Sequence, residues 1–171
     1  MTAERSRQTA AWFAAHPRLK AGVVAANRWL PLIPFACYPA LLIWLGLKLA
    51  AGQTQLLSAA VRAVLVPAAV FLGGTALRRA LNFPRPYQQP GFVPLVQKER
   101  QGCSFPSRHA LSAGVIAAVW LYFSPAAGAA LTVVALVICG LRVLTGVHFV
   151  RDVAAGVTLG FALGLAGMWL L

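Results

Sequence analysis

Charged residues, and acidic residues above all, are scarce in this sequence. Of its 171 residues 11% are charged and three are acidic, whereas about 25% of an average globular protein is charged. Apolar residues make up 60%, so a soluble domain would lack the polar groups to cover its surface. Disorder is excluded too, because disordered chains are poor in apolar residues. The class that remains is an integral membrane protein.

Cysteine is also sparse, and its arrangement excludes two kinds of site. Cys37, Cys103 and Cys139 form an odd set with no C-x-x-C spacing, which argues against a disulfide framework and against a zinc site. Residues 1–30 lack the clean apolar core of a cleavable signal peptide, so none is expected.

Cations, in contrast, are in excess. The sequence has fifteen Lys and Arg residues but three acidic ones, which gives a formal charge of +12. Such an excess implies an anionic partner, namely nucleic acid, lipid headgroups or a phosphorylated substrate. For a membrane protein we expect anionic membrane lipids and a phosphorylated substrate, and no nucleic acid.

The apolar runs predict an all-α, polytopic bundle of about five membrane-spanning helices. A span needs about 20 mostly apolar residues, and the predicted spans cover residues 31–50, 56–77, 107–123, 126–145 and 149–171. The charge-free stretch of 32 residues from Ala110 to Leu141 is divided at Ser124, because a single helix would be about 48 Å long. In the last span the glycines predict close helix contact; they are Gly156, Gly160 and Gly164.

The domain organisation follows from these spans. Residues 1–30 mix tryptophans and leucines with cations, which predicts a basic amphipathic helix lying in the membrane interface; a disordered basic tail is the alternative. Residues 31–171 form the membrane domain, with a structured loop at 78–108. The topology brings that loop, the turn at 142–152 and the N-terminal segment to one face, with thirteen of the fifteen cations.

Three polar groups lie on that face, and each has two interpretations. Arg78 and Arg85 suit phosphate oxygens, or belong to a basic loop resting on headgroups. Ser107 precedes an apolar helix, and a hydroxyl beside the free amides of a helix start can bind an anion. Alternatively, Ser107 is an ordinary N-cap and His109 has a structural role. His148 and Asp152 are four residues apart and are expected to share a helix face near Arg142, but Asp152 also suits a helix start.

Taken together, these segments resemble the phosphatase signature of the type 2 phosphatidic acid phosphatase superfamily. That signature reads Lys-x6-Arg-Pro, then Pro-Ser-Gly-His, then Ser-Arg-x5-His-x3-Asp. The matching segments here run from Arg78 to Pro86, from Pro106 to His109 and from Leu141 to Asp152. Three positions depart from it, since Arg78 replaces Lys, Arg108 replaces Gly and Leu141 replaces Ser.

The resemblance implies a role for each site residue. His148 is the nucleophile that forms a phosphohistidine, Asp152 orients it, and His109 protonates the leaving oxygen and then activates water. The phosphate is held by the remaining residues, which are Arg78, Arg85, Ser107, Arg108 and Arg142. No metal or other cofactor is implied. The extra cation of Arg108 leads to the hypothesis that the enzyme favours lipid pyrophosphates.

The resemblance leaves alternatives open. The soluble vanadium haloperoxidases share the motifs, but five apolar spans argue against that branch. A non-catalytic protein that binds anionic lipid through its basic face is the second class of function. Undecaprenyl pyrophosphate, phosphatidic acid and phosphatidylglycerol phosphate are all candidate substrates. The protein is expected in the cell membrane with its site on the outer face, although the positive-inside rule favours the cytoplasm.

Overall fold

Every regular element in the part of the chain that the structure describes is helical. The computed structural model describes residues 2–99 and 101–171. Within these ranges the α-helices are α1 Ala3–Ala15, α2 Pro17–Trp29, α3 Leu32–Ala50, α4 Leu57–Leu81, α5 Arg108–Phe123, α6 Pro125–Leu144 and α7 Val150–Trp169. Short 3-10 turns lie at Thr54–Leu56 and Pro86–Gln88. The predicted all-α fold is confirmed, and helices α3 to α7 lie at the predicted spans.

Four helical stretches are long and apolar enough to cross a membrane. They are Pro17–Ala50, Thr54–Gln88, Pro125–Leu144 and Val150–Trp169. Large apolar side chains face outward from α3 and α4; Leu47, Leu65 and Leu72 are 61–67% exposed. A continuous apolar exterior is compatible with a lipid environment and would be unfavourable in water. These features, like the sequence, indicate a multi-pass membrane protein.

Helix α5 is the centre of the bundle. Its 16 residues span about 24 Å, less than the apolar thickness of about 30 Å. All ten residues from Ala110 to Val119 are buried, and α4, α6 and α7 pack around them. Because neighbouring helices cover α5, its length does not have to match the bilayer.

Glycines on α7 let its backbone approach that of α5. A Cβ on Gly160 would collide with the carbonyl oxygen of Leu111, and one on Gly156 would lie 2.7 Å from the carbonyl oxygen of Ser107. On the other side of the contact, a Cβ on Gly114 would lie 2.7 Å from the carbonyl oxygen of Val157. The predicted close contact is therefore confirmed, and it places the start of α5 against the start of α7.

We expect Gly160→Leu to destabilise the protein strongly, because the new side chain would meet backbone that cannot move aside. Overpacking of this kind costs about 1–3 kcal/mol or more. Thermal unfolding in detergent measures the loss. Gly140→Leu is the matched control, since nothing lies within 4 Å of a Cβ on Gly140. Equal melting temperatures for the two variants would contradict the close packing of α7 on α5.

The predicted loop boundary at residue 78 is wrong. Helix α4 continues to Leu81, so Arg78 lies in its last turn and the loop covers residues 82–107. The extra turn forms because residues 78–81 are good helix formers. The helix ends where Asn82 adopts a left-handed conformation, with φ 40°, a common helix termination.

The N-terminal segment forms two helices, where the sequence predicted one. The break falls at His16, directly before Pro17, which has no N–H to continue a helix. The structure also contradicts the disordered-tail alternative. Helix α1 contacts the loop, because the backbone N–H of Val93 donates to the Ser6 hydroxyl at 3.1 Å. Its interfacial position in the membrane stays a prediction.

Candidate active site

The loop 82–107 is held in shape by a side-chain amide. The Gln88 side-chain oxygen accepts hydrogen bonds from the backbone N–H of Arg85 at 2.8 Å and of Gly102 at 2.9 Å. Gly102 has a φ of +61°, and a Cβ there would collide with the Asn82 side chain. A glycine is therefore needed where the two limbs of the loop meet. This junction fixes the position of Arg85.

Two arginines are anchored on backbone carbonyls at this end of the bundle. Arg78 donates through Nη1 to the carbonyl of Pro106 at 3.1 Å, and Arg85 donates through Nε to the carbonyl of Gly102 at 3.0 Å. Both side chains are buried. Burying a guanidinium is costly unless its donors are satisfied, so these bonds determine where each planar group points.

His148 and Asp152 meet, but not on one helix face as predicted. His148 lies in the turn before α7, and its Nδ1 is 3.5 Å from Asp152 Oδ2. The pair forms because the Asp152 side chain turns back to accept the backbone N–H of Phe149 at 3.0 Å. The Ser104 hydroxyl donates to the same carboxylate oxygen and lies 3.4 Å from His148 Nδ1. Asp152 is thus both a helix cap and the partner of His148.

The surroundings of His148 favour its neutral form. Burial lowers the pKa of His148 below its usual value, and the nearby Arg85 and Arg78 lower it further, while Asp152 acts in the opposite direction. An imidazole with a pKa below about 6.5 is unprotonated at neutral pH. With Nδ1 facing the carboxylate, Nε2 carries the lone pair, as a nucleophile requires.

Ser107 stands at the start of α5 without acting as a conventional N-cap. Its side chain makes no capping hydrogen bond, and its buried hydroxyl has no hydrogen-bond partner among the described residues. Its backbone N–H donates to the carbonyl of Asp152 at 2.9 Å, which ties α5 to α7. A buried hydroxyl beside the free amides of a helix start fits an oxygen of a bound phosphate.

These elements surround one small cavity of about 100 Å³, called here the inner cavity. It lies where the end of α4, the start of α5, the end of α6 and the turn before α7 meet. Its lining residues are Arg78, Arg85, Lys98, Arg108, His109, Arg142, Val147 and His148. Six of the eight predicted site residues therefore line it. The other two, Ser107 and Asp152, lie at the start of α5 and behind His148.

A family model for the PAP2 superfamily matches residues 56–171 of the chain. The chain belongs to the PAP2 superfamily. The matched region begins just before α4 and includes all three motifs together with every residue that lines the inner cavity.

Two solved structures resemble this one. LpxE from Aquifex aeolicus matches with a TM-score of 0.67 and 24% identity, over 89% of this chain and 86% of LpxE. A transmembrane PAP2-type phosphatidylglycerolphosphate phosphatase from Bacillus subtilis matches with a TM-score of 0.50 and 25% identity, over 96% of this chain and 89% of the other. No curated protein matches significantly. Membership in the superfamily and these neighbours support a membrane phosphatase.

Sequence reasoning missed two residues of this candidate site. Ser104 stands two positions before the Pro-Ser-x-His motif, and its contact with Asp152 joins residues 48 positions apart. Lys98 lies in the loop outside all three motifs and still lines the inner cavity. A hydroxyl or a cation near a motif is a weak signal by itself, so no feature of the sequence pointed to either residue.

The donor set of the site suits an anion. Among residues 2–99 and 101–171, no three His, Cys, Asp or Glu side chains lie close enough together to hold a metal ion. The inner cavity is lined instead by guanidinium, ammonium and imidazole groups. Guanidinium forks bind phosphate oxygens in pairs, so the arrangement is suited to a phosphoryl group.

Proposed function

We propose that this protein hydrolyses lipid phosphates through a phosphohistidine formed on His148, without a metal ion. The observation that carries the proposal is the inner cavity itself. It brings together His148, His109 and four arginines at the end of the bundle where several helices terminate. A lipid phosphate carries its phosphate at the membrane surface, the level that a helix terminus in such a bundle occupies.

The first chemical step is transfer of the phosphoryl group to the enzyme. The lone pair of His148 Nε2 attacks phosphorus, and the bond between phosphorus and the leaving oxygen breaks. His109, in the first turn of α5 and on the wall of the inner cavity, gives its proton to that oxygen. In the second step His109 takes a proton from water, which attacks the phosphohistidine and releases orthophosphate.

The arginines and the start of α5 stabilise the charge that develops during both steps. Arg78 and Arg85 are fixed by the loop, and Arg142 is buried in the wall of the inner cavity. The Ser107 hydroxyl and the backbone N–H of Arg108 add neutral donors at a positive helix end. Preorganised donors of this kind need no rearrangement during the reaction, which is why they contribute strongly to rate.

A lipid substrate is supported by an apolar cavity next to the site. It has a volume of about 280 Å³ and lies between α3, α4 and α5. Phe35 lines it and also meets the His109 ring edge-on, with centroids 6.4 Å apart. A hydrocarbon chain attached to the leaving oxygen would start beside His109 and continue along these helices. Candidate substrates are phosphatidic acid, phosphatidylglycerol phosphate and undecaprenyl pyrophosphate.

The deciding experiment is phosphate release by the purified protein in detergent with a chelator present. We expect turnover of at least one member of a panel of lipid phosphates, and loss of that turnover in His148→Ala. Binding of anionic lipid vesicles without any phosphate release would instead favour the non-catalytic alternative, a basic protein that only holds headgroups.

We further propose that the protein lies in the cell membrane with the inner cavity on the outer face. Outside the inner cavity, eight cations on that side against two on the other run contrary to the positive-inside rule, so a direct test is needed. In a Cys103→Ser background, Gln89→Cys lies in the active-site loop and Gln55→Cys near the α3–α4 turn. An impermeant thiol reagent should label only Gln89→Cys in intact cells. The reverse pattern places the site in the cytoplasm.

Asp152→Asn should reduce kcat by about 10²- to 10⁴-fold, the usual contribution of a positioned acid–base group. Asparagine keeps an oxygen that accepts the Phe149 N–H and so preserves the cap, but it removes the charge that supports His148. The melting temperature in detergent and KM should change little. If the variant keeps its activity, Asp152 serves only as a helix cap.

A further inference from the structure

The inner cavity is small, and the residues that line it carry a large positive charge. Its volume is about 100 Å³, and in the proposed reaction the groups that line it converge on one phosphoryl group. Among residues 2–99 and 101–171, five cationic side chains line it, and no acidic one does. A phosphate monoester carries at most about two negative charges near neutral pH. The lining therefore has more positive charge than a single phosphate neutralises.

A second and larger cavity adjoins the inner one; we call it the outer cavity. Its volume is about 720 Å³, and it is lined by Tyr87, Pro94, Val96, Gln97, Lys98 and Glu99. Among the described residues, Lys98 is the one that lines both cavities. Its side chain thus stands at their junction, within reach of a second phosphate that leaves the inner cavity on this side.

The electrostatic environment of Lys98 agrees with this position. Burial lowers the pKa of Lys98, and the positive charges of Arg142 and Arg85 lower it further. The ammonium group therefore lies within electrostatic range of the inner cavity even though part of the side chain is exposed. Glu99 lines the outer cavity but not the inner one. An anion beside Lys98 therefore meets a carboxylate only farther out.

Arg108 supplies a second cation at the same wall. It lines the inner cavity together with Lys98, and it directly precedes His109, the group that protonates the leaving oxygen. Lys98 comes from the loop, and Arg108 comes from the first turn of α5. Two cations from different elements thus lie near the leaving-group acid, where a second phosphate of the substrate would emerge from the inner cavity.

We propose that Lys98, together with Arg108, binds the second phosphate of a lipid diphosphate whose terminal phosphate occupies the inner cavity. This inference rests on the proposed phosphatase function and names its substrate class. His148 attacks the terminal phosphorus, and the bond from that phosphorus to the bridging oxygen breaks. The lipid monophosphate leaves with the electron pair on that oxygen and takes the His109 proton. Water then releases orthophosphate from His148.

The test compares a monophosphate and a diphosphate of the same lipid. Lys98→Gln and Arg108→Gln each remove one charge while keeping a polar side chain. A hydrogen bond to a charged group contributes enough to change kcat/KM by about 10- to 100-fold. We expect kcat/KM for the diphosphate to fall by about that factor more than kcat/KM for the monophosphate. Lys98→Arg, which keeps the charge, should retain most of the selectivity.

Arg79→Gln is the matched control. Arg79 is an exposed cation at the same end of α4 that does not line either cavity, so its loss should leave both substrates unaffected. Equal losses for the two lipids in Lys98→Gln and Arg108→Gln would overturn the proposal, as would a parent protein that hydrolyses only the monophosphate. A parent that hydrolyses neither lipid would instead contradict the phosphatase function itself.

Discussion

His148→Ala is expected to lower kcat by about 10⁴-fold or more on every substrate, because removing a nucleophile eliminates the covalent route altogether. The geometry also indicates which nitrogen of His148 receives the phosphoryl group. His148 Nδ1 faces Asp152 and Ser104, so the phosphoryl group should be attached to Nε2. Rapid quenching with a labelled substrate should trap an acid-labile phosphoenzyme in the parent and none in the variant.

His16→Ala is the matched control for this experiment. His16 lies at the break between α1 and α2, where its ring stacks on Trp12, and it has no place in the proposed chemistry. The control should form the phosphoenzyme at the parental rate. A labelled phosphoenzyme in His148→Ala, or one whose phosphate is attached to Nδ1, would contradict the assignment of the nucleophile.

His109→Ala is expected to produce a loss that depends on the leaving group. A lipid alkoxide is a poor leaving group and needs the proton of His109, so its hydrolysis should fall by about 10²- to 10⁴-fold. An activated aryl phosphate leaves without protonation, so transfer to His148 should be much less affected. The second step still lacks its base, and the phosphoenzyme should therefore accumulate.

A burst experiment with an aryl phosphate measures both effects. His109→Ala should release one equivalent of aryl alcohol quickly and then turn over slowly, whereas His148→Ala should show no burst. The contrast between the two variants separates a leaving-group acid from a nucleophile. Equal losses of His109→Ala in the rate of phosphoryl transfer to His148 from the aryl phosphate and from the lipid phosphate would mean that His109 does not protonate the leaving group.

The bundle was predictable because a membrane restricts where charge can lie. Each charge at the centre of a bilayer costs at least about 2.5–3.5 kcal/mol, so charge-free runs mark the helices directly. Helix ends were less predictable. Helix α4 continues through Arg78 to Leu81, because cations at the C-terminal end of a helix are favourable and do not stop it.

The candidate site was predictable to a similar degree, since polar residues near membrane spans are few. His109 and His148 are two of three histidines, and Asp152 is the only aspartate. Their spacing matched a known signature, and the structure brings these residues to one end of the bundle. Their chemical roles stay predictions until the variants above are measured.

The sequence by itself determined which segments are apolar helices and which residue types gather near their ends, because hydropathy and its periodicity are properties of neighbouring residues. Only the tertiary structure decided which of those residues meet. Ser104 reaches Asp152 across 48 positions, and Lys98 joins the inner cavity to the outer one. The glycines of α7 predicted a close helix contact, but no local pattern identifies α5 as the partner or places Ser104 and Lys98 beside the site, because such contacts join residues far apart in the chain.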